Sequence, residues 1–541
     1  MFPSQSVPPI GVEVGAAADR LSRIMPTERF DDLALRLHEA DDVVVLRRAI
    51  TAGTRLVGNG IAVTAAADIP AGHKIALVAI ADGQPVRKYG QTIGFAVGPI
   101  APGQHVHTHN LTMRDYGRDY GFGLDARPVD YHPPGKMRTF NGYLRPDGRV
   151  GTRNYIAVIS TVNCSASVAQ YVAHRFRGED FRRQYPNVDG VFAITHKTGC
   201  CVQPGEPLAM LQRVLAGFAR HPNVFGYVMI GLGCEGNQIA AVQTGHRLKV
   251  LRPGEPPPAF MTIQDVGGVR RTVDAAAKAV SRLLPLADAA RRTPQPISKL
   301  MLAMQCGGSD ANSGITANPA VGVASDELVR FGGTSVIAET PEVYGAEHLL
   351  TRRALSPEIG QKLVDLIRWW EQHAAMFGAS IDNNPTPGNK EGGLTTIYEK
   401  SLGAVAKGGQ SPLAAVYRYA EPITTPGFGL MDTPGYDPVS MTGLVAGGCN
   451  IGVFTTGRGS VYGCKPMPTI KIATSTPLYE HMTEDMDLNA GTIMDGTETV
   501  RQVGQRIFEK MIAVASGQMT KSEAQGIGDE EFAPWMLGPT L

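Results

Sequence analysis

An excess of either charge is missing from this sequence. Its 541 residues carry 51 Lys and Arg against 50 Asp and Glu, a formal net charge of +1. No global field therefore draws the chain toward nucleic acid or an anionic membrane. Aromatic side chains make up only 7% of the residues, too few for a platform on which bases stack. No apolar run reaches the roughly 18 residues that a membrane-crossing helix needs. The opening MFPSQSVPPIGVEVG lacks a basic stretch followed by an apolar one, so no secretory signal is expected. Seven cysteines in so long a chain do not make a disulfide framework. Their odd number and Gly-flanked settings fit a reducing cytoplasm, with thiols free or binding metal. Walker A, His-Glu-x-x-His and Gly-x-Ser-x-Gly motifs are absent, and no two cysteines have the C-x2-C spacing of a zinc ribbon. Gly231-Leu232-Gly233 opens like a dinucleotide fingerprint, but Cys234-Glu235 follows, and a nicotinamide enzyme is the weaker reading.

What is present is one arrangement used repeatedly: an apolar run, then a Gly-rich polar turn. In Lys299–Val323 the run Leu300–Met304 stops at Gln305-Cys306-Gly307-Gly308-Ser309-Asp310, and Ala320–Phe331 has helical spacing. Tyr155–Ser160 ends at Cys164; Gly190–Thr195 ends at His196 and Cys200-Cys201; Val224–Ile230 ends at Cys234-Glu235. Ser335–Ala338 ends at Glu339, and Asn450–Phe454 ends at Thr455-Thr456-Gly457-Arg458-Gly459. In open α/β sheets ligands bind beyond the carboxyl ends of the strands. One buried Cys means little, since Cys is among the most buried residue types. Four strand ends that carry one point to a site.

At this length two to four domains are expected. Residues 1–32 carry one short helical pattern around Ala16–Ile24 and no assigned function. Residues 33–112 read as a small all-β module, with turn signals about every ten residues. It ends in His105-Val106-His107-Thr108-His109. If this stretch is a strand, the three imidazoles share one face as a metal or anion surface, or face solvent idly. His73 is a further candidate facing a substrate. Residues 113–139 read as a linker. Strands and helices then alternate in 140–295 and again in 296–541, which implies two α/β regions with largely parallel sheets. Asp382–Gly393 and Met431–Thr442 are rich in Gly, Pro and Asn and are expected to be active-site loops.

Seven stretches resemble the altronate dehydratase/galactarate dehydratase family of sugar-acid dehydratases. They are GYLRPDGRVGTRNY (142–155), PNVDGVFAITHKTGC (186–200), GLGCEG (231–236), QCGGSDANSGITANPAVG (305–322), NPTPGNKEGG (384–393), FTTGRGSVYG (454–463) and LNAGTI (488–493). The resemblance spans about residues 35–520. It implies an N-terminal β-clip (SAF-like) domain, a second α/β domain and a Rossmann-like C-terminal domain. It also implies loss of water from an aldonate or aldarate to give a 2-keto-3-deoxy acid, with a divalent metal, Fe²⁺ or else Mn²⁺. His105–His109 followed by Asn110, and MDTPGYDPVS with YGCKP, look more like the altronate branch, while the QCGGSDANSGITANPAVG wording is shared with the galactarate branch. Sulfolactate sulfo-lyases are a third relative. They usually carry the β module on a separate chain.

That chemistry explains the residue types. A proton beside a carboxylate is very weakly acidic, so its removal needs a cation on the carboxylate and a base of matched pKa. Arg458 suits bidentate capture of the carboxylate, with Ser309, Asn312, Asn389 and Thr456 as further substrate contacts. His73, His196, Lys390 and Lys465 are the candidate catalytic groups. Asp310 and Glu339 are candidate hard oxygen ligands or else cap a helix or pair with an Arg, and Cys306, Cys234, Cys200 and Cys164 are candidate softer ligands. An iron–sulfur cluster on three of these cysteines is the alternative cofactor. A soluble cytoplasmic homodimer or larger homo-oligomer acting on a small sugar acid is expected.

Overall fold

The structure, a computed structural model, describes residues 27–248, 254 and 256–537; the helix expected around 16–24 lies outside them. The β module begins with β1 (Thr27–Arg29), β2 (Ala34–Leu35), β3 (Val43–Leu46), β4 (Arg55–Gly58) and β5 (Ile61–Thr64). It continues with β6 (Lys74–Ala76), β7 (Pro85–Lys88), β8 (Gln91–Ala96), β9 (His105–Val106) and β10 (Leu111–Thr112). They form three small sheets, β1-β4-β5, β10-β8-β7 and β2-β3-β6-β9. Glycines make the sharp turns between them. At Gly103 the backbone is left-handed, and a Cβ would lie 2.0 Å from the Thr64 carbonyl oxygen, so only glycine fits.

The second region opens with the hairpin β11 (Thr139–Leu144) and β12 (Val150–Gly151), turned at Asp147-Gly148. Its main sheet uses β13 (Tyr155–Ser160), β14 (Gly190–Ile194), β15 (Val224–Gly231) and β16 (Ala259–Thr262). The order is β14-β13-β15-β16, every pair parallel. The chain leaves through β17 (Thr293–Pro296), which pairs antiparallel with β11. The entry and exit of this region are thus sewn together.

The C-terminal region has β18 (Met301–Cys306), β19 (Thr334–Ile337), β20 (Leu413–Tyr417), β21 (Gly427–Met431), β22 (Ile451–Thr456), β23 (Thr469–Ala473) and β24 (Leu488–Asn489). They make one seven-stranded sheet, β20-β21-β19-β18-β22-β23-β24, parallel throughout. Winding reverses between β18 and β22, so the crevice at that point is where an open α/β sheet takes its ligand. The strand order carries β21 between β20 and β19, one strand more than the standard 3-2-1-4-5-6 arrangement has there. The two α/β regions share one apolar core, in which Phe218 and Met229 pack with Met431 and Phe454. Gly217 on the helix Glu206–Ala219 lies so close to the helix Asp437–Gly447 that a Cβ would meet the Ala446 carbonyl at 2.3 Å.

Three local expectations are corrected. Pro387–Glu391 is a short helix inside the predicted loop, with Pro387 in its first turn and a capping box between Thr386 and Asn389. Proline is tolerated there because that N–H has no helical partner to lose. The second predicted loop becomes helix at Asp437-Pro438 for the same reason. The histidine run is a strand only over His105–Val106; Asn110 then turns the chain, accepting from the His107 N–H at 2.9 Å and donating to the His105 carbonyl at 3.0 Å.

Candidate active site

The loops after β18 and β22 meet at the reversal of the C-terminal sheet. Cys306 is buried, its Sγ 2.9 Å from Ser309 Oγ and 3.8 Å from Asn318 Nδ2. Asp310 is buried and accepts from the Ser313 N–H (2.9 Å), Ser313 Oγ (3.0 Å) and Thr474 Oγ1 (3.1 Å). Burial pushes its pKa up, against the downward pull of those hydrogen bonds. Gly457 passes so close that a Cβ would overlap the Asp310 carboxyl at 2.1 Å. Asp310 therefore clamps two loops together, and its carboxylate is already filled. Asn312 donates weakly to Asp310 Oδ2, at 3.4 Å, while its own Oδ1 is buried without a partner among the described residues. Thr456 is buried and accepts from the Gly459 N–H at 3.1 Å.

Arg458 emerges at the crevice with its side chain 49% exposed, 3.5 Å from Glu391. Glu391 ends the short helix that begins at Pro387. Within that helix Asn389 is a scaffold residue: its Oδ1 accepts from Thr386 N and Oγ1, both at 3.0 Å, and its Nδ2 donates to the Ser309 carbonyl at 2.8 Å. Lys390 is half-buried beside it, with Asp382 in electrostatic range.

The β module docks onto this helix. His73 is buried, with Nε2 3.1 Å from the Glu391 carbonyl oxygen and Nδ1 3.0 Å from His105 Nε2. The His107 ring stacks on His105 with centroids 5.3 Å apart, and one ring nitrogen each of His73, His105 and His107 all lie within 4.8 Å of one another. His109 stays at the edge, its ring centroid 5.5 Å from that of His105. Burial holds all three imidazoles neutral: His73 is lowered, His105 to about 4 and His107 to about 3. Neutral imidazoles are the metal-ligating form, and a carbonyl on the far nitrogen, as Glu391 supplies to His73, is a usual outer partner. His107 Nδ1 is buried with no partner among the described residues.

Beneath the histidines, Glu399 binds Lys74 Nζ (2.9 Å) and Lys88 Nζ (2.8 Å), all three buried. Lys74 also donates to the Gly393 carbonyl at 2.7 Å. One carboxylate cannot neutralise two ammonium groups. Glu399 is accordingly held well below its usual pKa by the lysines despite burial, while desolvation takes Lys74 down to about 8. The sequence reading missed these residues, although a signal existed. The helix Ile397–Val405 is apolar on nearly every side, so Glu399 and Lys400 within it had to be buried, and buried charges need partners.

A second acidic group lies behind the crevice. Glu342 accepts from Lys400 Nζ at 2.6 Å and Asn384 Nδ2 at 2.7 Å, and Asp437 accepts from Gln305 Nε2 at 2.7 Å. Glu339 is buried with φ 67° and neither carboxylate oxygen partnered among the described residues. Burial, then Glu342 and Asp437, push it well above the ordinary carboxyl range, which favours the neutral acid. Cys306, Ser309, Asp310, Glu342 and Lys400 line one small enclosed cavity.

The remaining sequence candidates lie elsewhere. Cys164, Cys200 and Cys234 are exposed at the carboxyl end of the second region's sheet, apart from Cys306. The four cysteines are not one ligand set, because two sheets carry them. His196 is buried in that same second region. Lys465 is bound to Asp529 at 2.6 Å and is no free base. Gly231, Gly233 and Gly236 have full G-x-G-x-x-G spacing. However, the Leu232 and Gly233 amides that would meet a pyrophosphate donate instead to Glu235, at 3.1 and 2.7 Å.

Comparison with known proteins agrees with this architecture. Residues 32–114 match the altronate/galactarate dehydratase SAF domain. Residues 142–288 match the D-galactarate dehydratase/altronate hydrolase second domain, and 297–540 the D-galactarate/altronate dehydratase C-terminal domain. Altronate dehydratase of Bacillus subtilis strain 168 is 35% identical over 94% of this chain and 99% of its own length. Altronate dehydratase of Escherichia coli K12 is 35% identical over 94% of this chain and 99% of its own. The same organism's galactarate dehydratase (L-threo-forming) is 37% identical over 92% and 95%. With all three regions matched in order, the chain belongs to the D-galactarate/altronate dehydratase family.

Proposed function

We propose that this chain is a cytoplasmic, metal-dependent hydro-lyase that removes water from an altronate-type aldonate to give its 2-keto-3-deoxy acid. The observation that carries the reading is the meeting of His73, His105 and His107 with the Arg458–Glu391 pair where the C-terminal sheet reverses. Three neutral imidazoles fit a divalent iron or manganese ion, and the unpartnered His107 nitrogen fits a ligand position. Such an ion supplies a Lewis acid that withdraws charge as the hydroxyl departs.

The chain's own groups do the rest. Arg458 takes the planar carboxylate with its two-pronged guanidinium, which a lysine cannot match. Glu391 lies 3.5 Å from that guanidinium, and so exposed a pair would yield to a substrate carboxylate at little cost. Lys390, on the same helical turn as Glu391, is the candidate base for the C2 proton. The docked β module closes the crevice and excludes water. An aldarate would bring a second carboxylate that needs a second cation, and the galactarate branch is the competing reading. The fused β module argues against a sulfo-lyase.

The test is a panel of aldonates and aldarates with anaerobic Fe²⁺, reading 2-keto-3-deoxy product. Product from altronate that disappears with a chelator and returns with Fe²⁺ or Mn²⁺ is expected, with His105→Ala weakening Fe²⁺ binding in direct titration. Full turnover by rigorously metal-free enzyme would overturn the metal-dependent reading. Arg458→Lys is expected to fold normally and lose about 2–3 kcal/mol in kcat/KM, roughly 30- to 150-fold. Unfolding of that variant with normal turnover by the folded fraction would make Arg458 a structural residue.

A further inference from the structure

Three thiols at the other sheet are left without a role. β13 lies between β14 and β15, all parallel, so the three strands deliver their carboxyl ends to one edge. Cys164 follows β13 in the first turn of the helix Asn163–His174, Cys200 follows β14, and Cys234 follows β15. Hydrogen bonds tie the three loops together. Asn163 donates its N–H to the Thr198 carbonyl at 2.9 Å and its side chain to the His196 carbonyl at 3.2 Å. The Gly236 N–H donates to the Cys200 carbonyl at 2.8 Å. Glu235, 2% exposed, accepts from Thr161 Oγ1 at 2.8 Å as well as from the Leu232 and Gly233 amides, and Asn237 Nδ2 reaches the Thr161 carbonyl at 2.9 Å. Gln264 donates Nε2–H to Cys234 Sγ at 3.4 Å. The loops are therefore held in place, and the thiols face outward.

We propose that Cys164, Cys200 and Cys234 form a three-thiolate site for a [4Fe–4S] cluster whose fourth iron has no cysteine ligand. Three soft donors converge from three loops with no C-x2-C pair among them, which suits a cluster better than a closed four-coordinate zinc site. Cys164 sits in the first turn of its helix, so its position is set by the end of β13. The Gln264 contact is the kind of hydrogen bond to sulfur that tunes such clusters. The Cys164 and Cys200 side chains are hydrogen-bond partners, and Cys234 lies within electrostatic range of Cys164. On cluster binding each thiol gives up its proton and forms one Fe–S bond.

The site does not depend on the dehydratase reading, and its test does not use turnover. The full-length chain is incubated anaerobically with equal parts ferrous and ferric iron and with sulfide, so no outside oxidant is needed. The expected result is the broad visible absorption of an iron–sulfur cluster, with about four irons and four sulfides per chain. Cys164→Ser, Cys200→Ser and Cys234→Ser should each lose it with an unchanged circular-dichroism spectrum, while Cys449→Ala, on the other sheet, keeps it. Absence of the chromophore, its persistence in all three serine variants, or tight binding of zinc with no cluster formed would overturn the proposal.

Discussion

Two buried glutamates organise two regions of this molecule, by different means. Glu399 joins the β module to the C-terminal region through two lysine ammonium groups. Glu235 joins the loops of the second region through a threonine hydroxyl and two backbone amides. The first arrangement is ionic and buried, with more positive than negative charge, and Thr395 adds its N–H and hydroxyl to the same carboxylate. The second uses neutral donors and sits beside exposed thiols. A buried charge paired with another charge leaves a large penalty when one partner is removed. A carboxylate held by dipoles leaves only unmet hydrogen bonds. The Glu399 seam is thus expected to be more sensitive to a single charge than the loops around Glu235.

The largest expected break is Glu399→Gln. It strands Lys74 and Lys88 in the interior, and a loss of about 3–5 kcal/mol is expected in denaturant titration. A smaller one is Glu235→Gln, in which the new amide can face the Leu232 and Gly233 N–H groups with the wrong end. About 1–3 kcal/mol should be lost, from the unmet donors alone. A loss for Glu235→Gln equal to that for Glu399→Gln would erase the distinction between the two regions.

The smallest effect is a pH dependence at the ionic seam. Lys74 gives up its proton at about 8 in the folded chain and at its ordinary 10.5 when unfolded. Between those values the unfolded chain binds more protons, so stability rises with pH. Wild type should gain on the order of 1 kcal/mol over Lys74→Met from pH 8 to 10.5. A flat difference across that window would mean that Lys74 is not strained.

Much of this was legible along the chain because it is local. The strand Tyr155–Ser160 falls where its apolar run lies, and Gly-rich turns follow β18 and β22 as the residues require. Helix starts were less legible: Pro387 and Pro438 read as loop residues, yet each sits in a first helical turn. The histidine run was read as one strand face. Asn110 instead turns the chain and brings His107 round to His73.

By itself the sequence determined the order of the three regions, the family, and the rule that strand ends carry the reactive side chains, since apolar runs and glycine turns act over a few residues. Tertiary structure alone decided which ends meet. It set Cys306 on a different sheet from Cys164, Cys200 and Cys234, filled Asp310 and Asn389 with structural hydrogen bonds, and brought His73 to Glu391 across 318 positions and Lys74 to Glu399 across 325. The physical reason is that a buried charge or ligand is defined by what surrounds it, and those surroundings come from strands far apart in the chain.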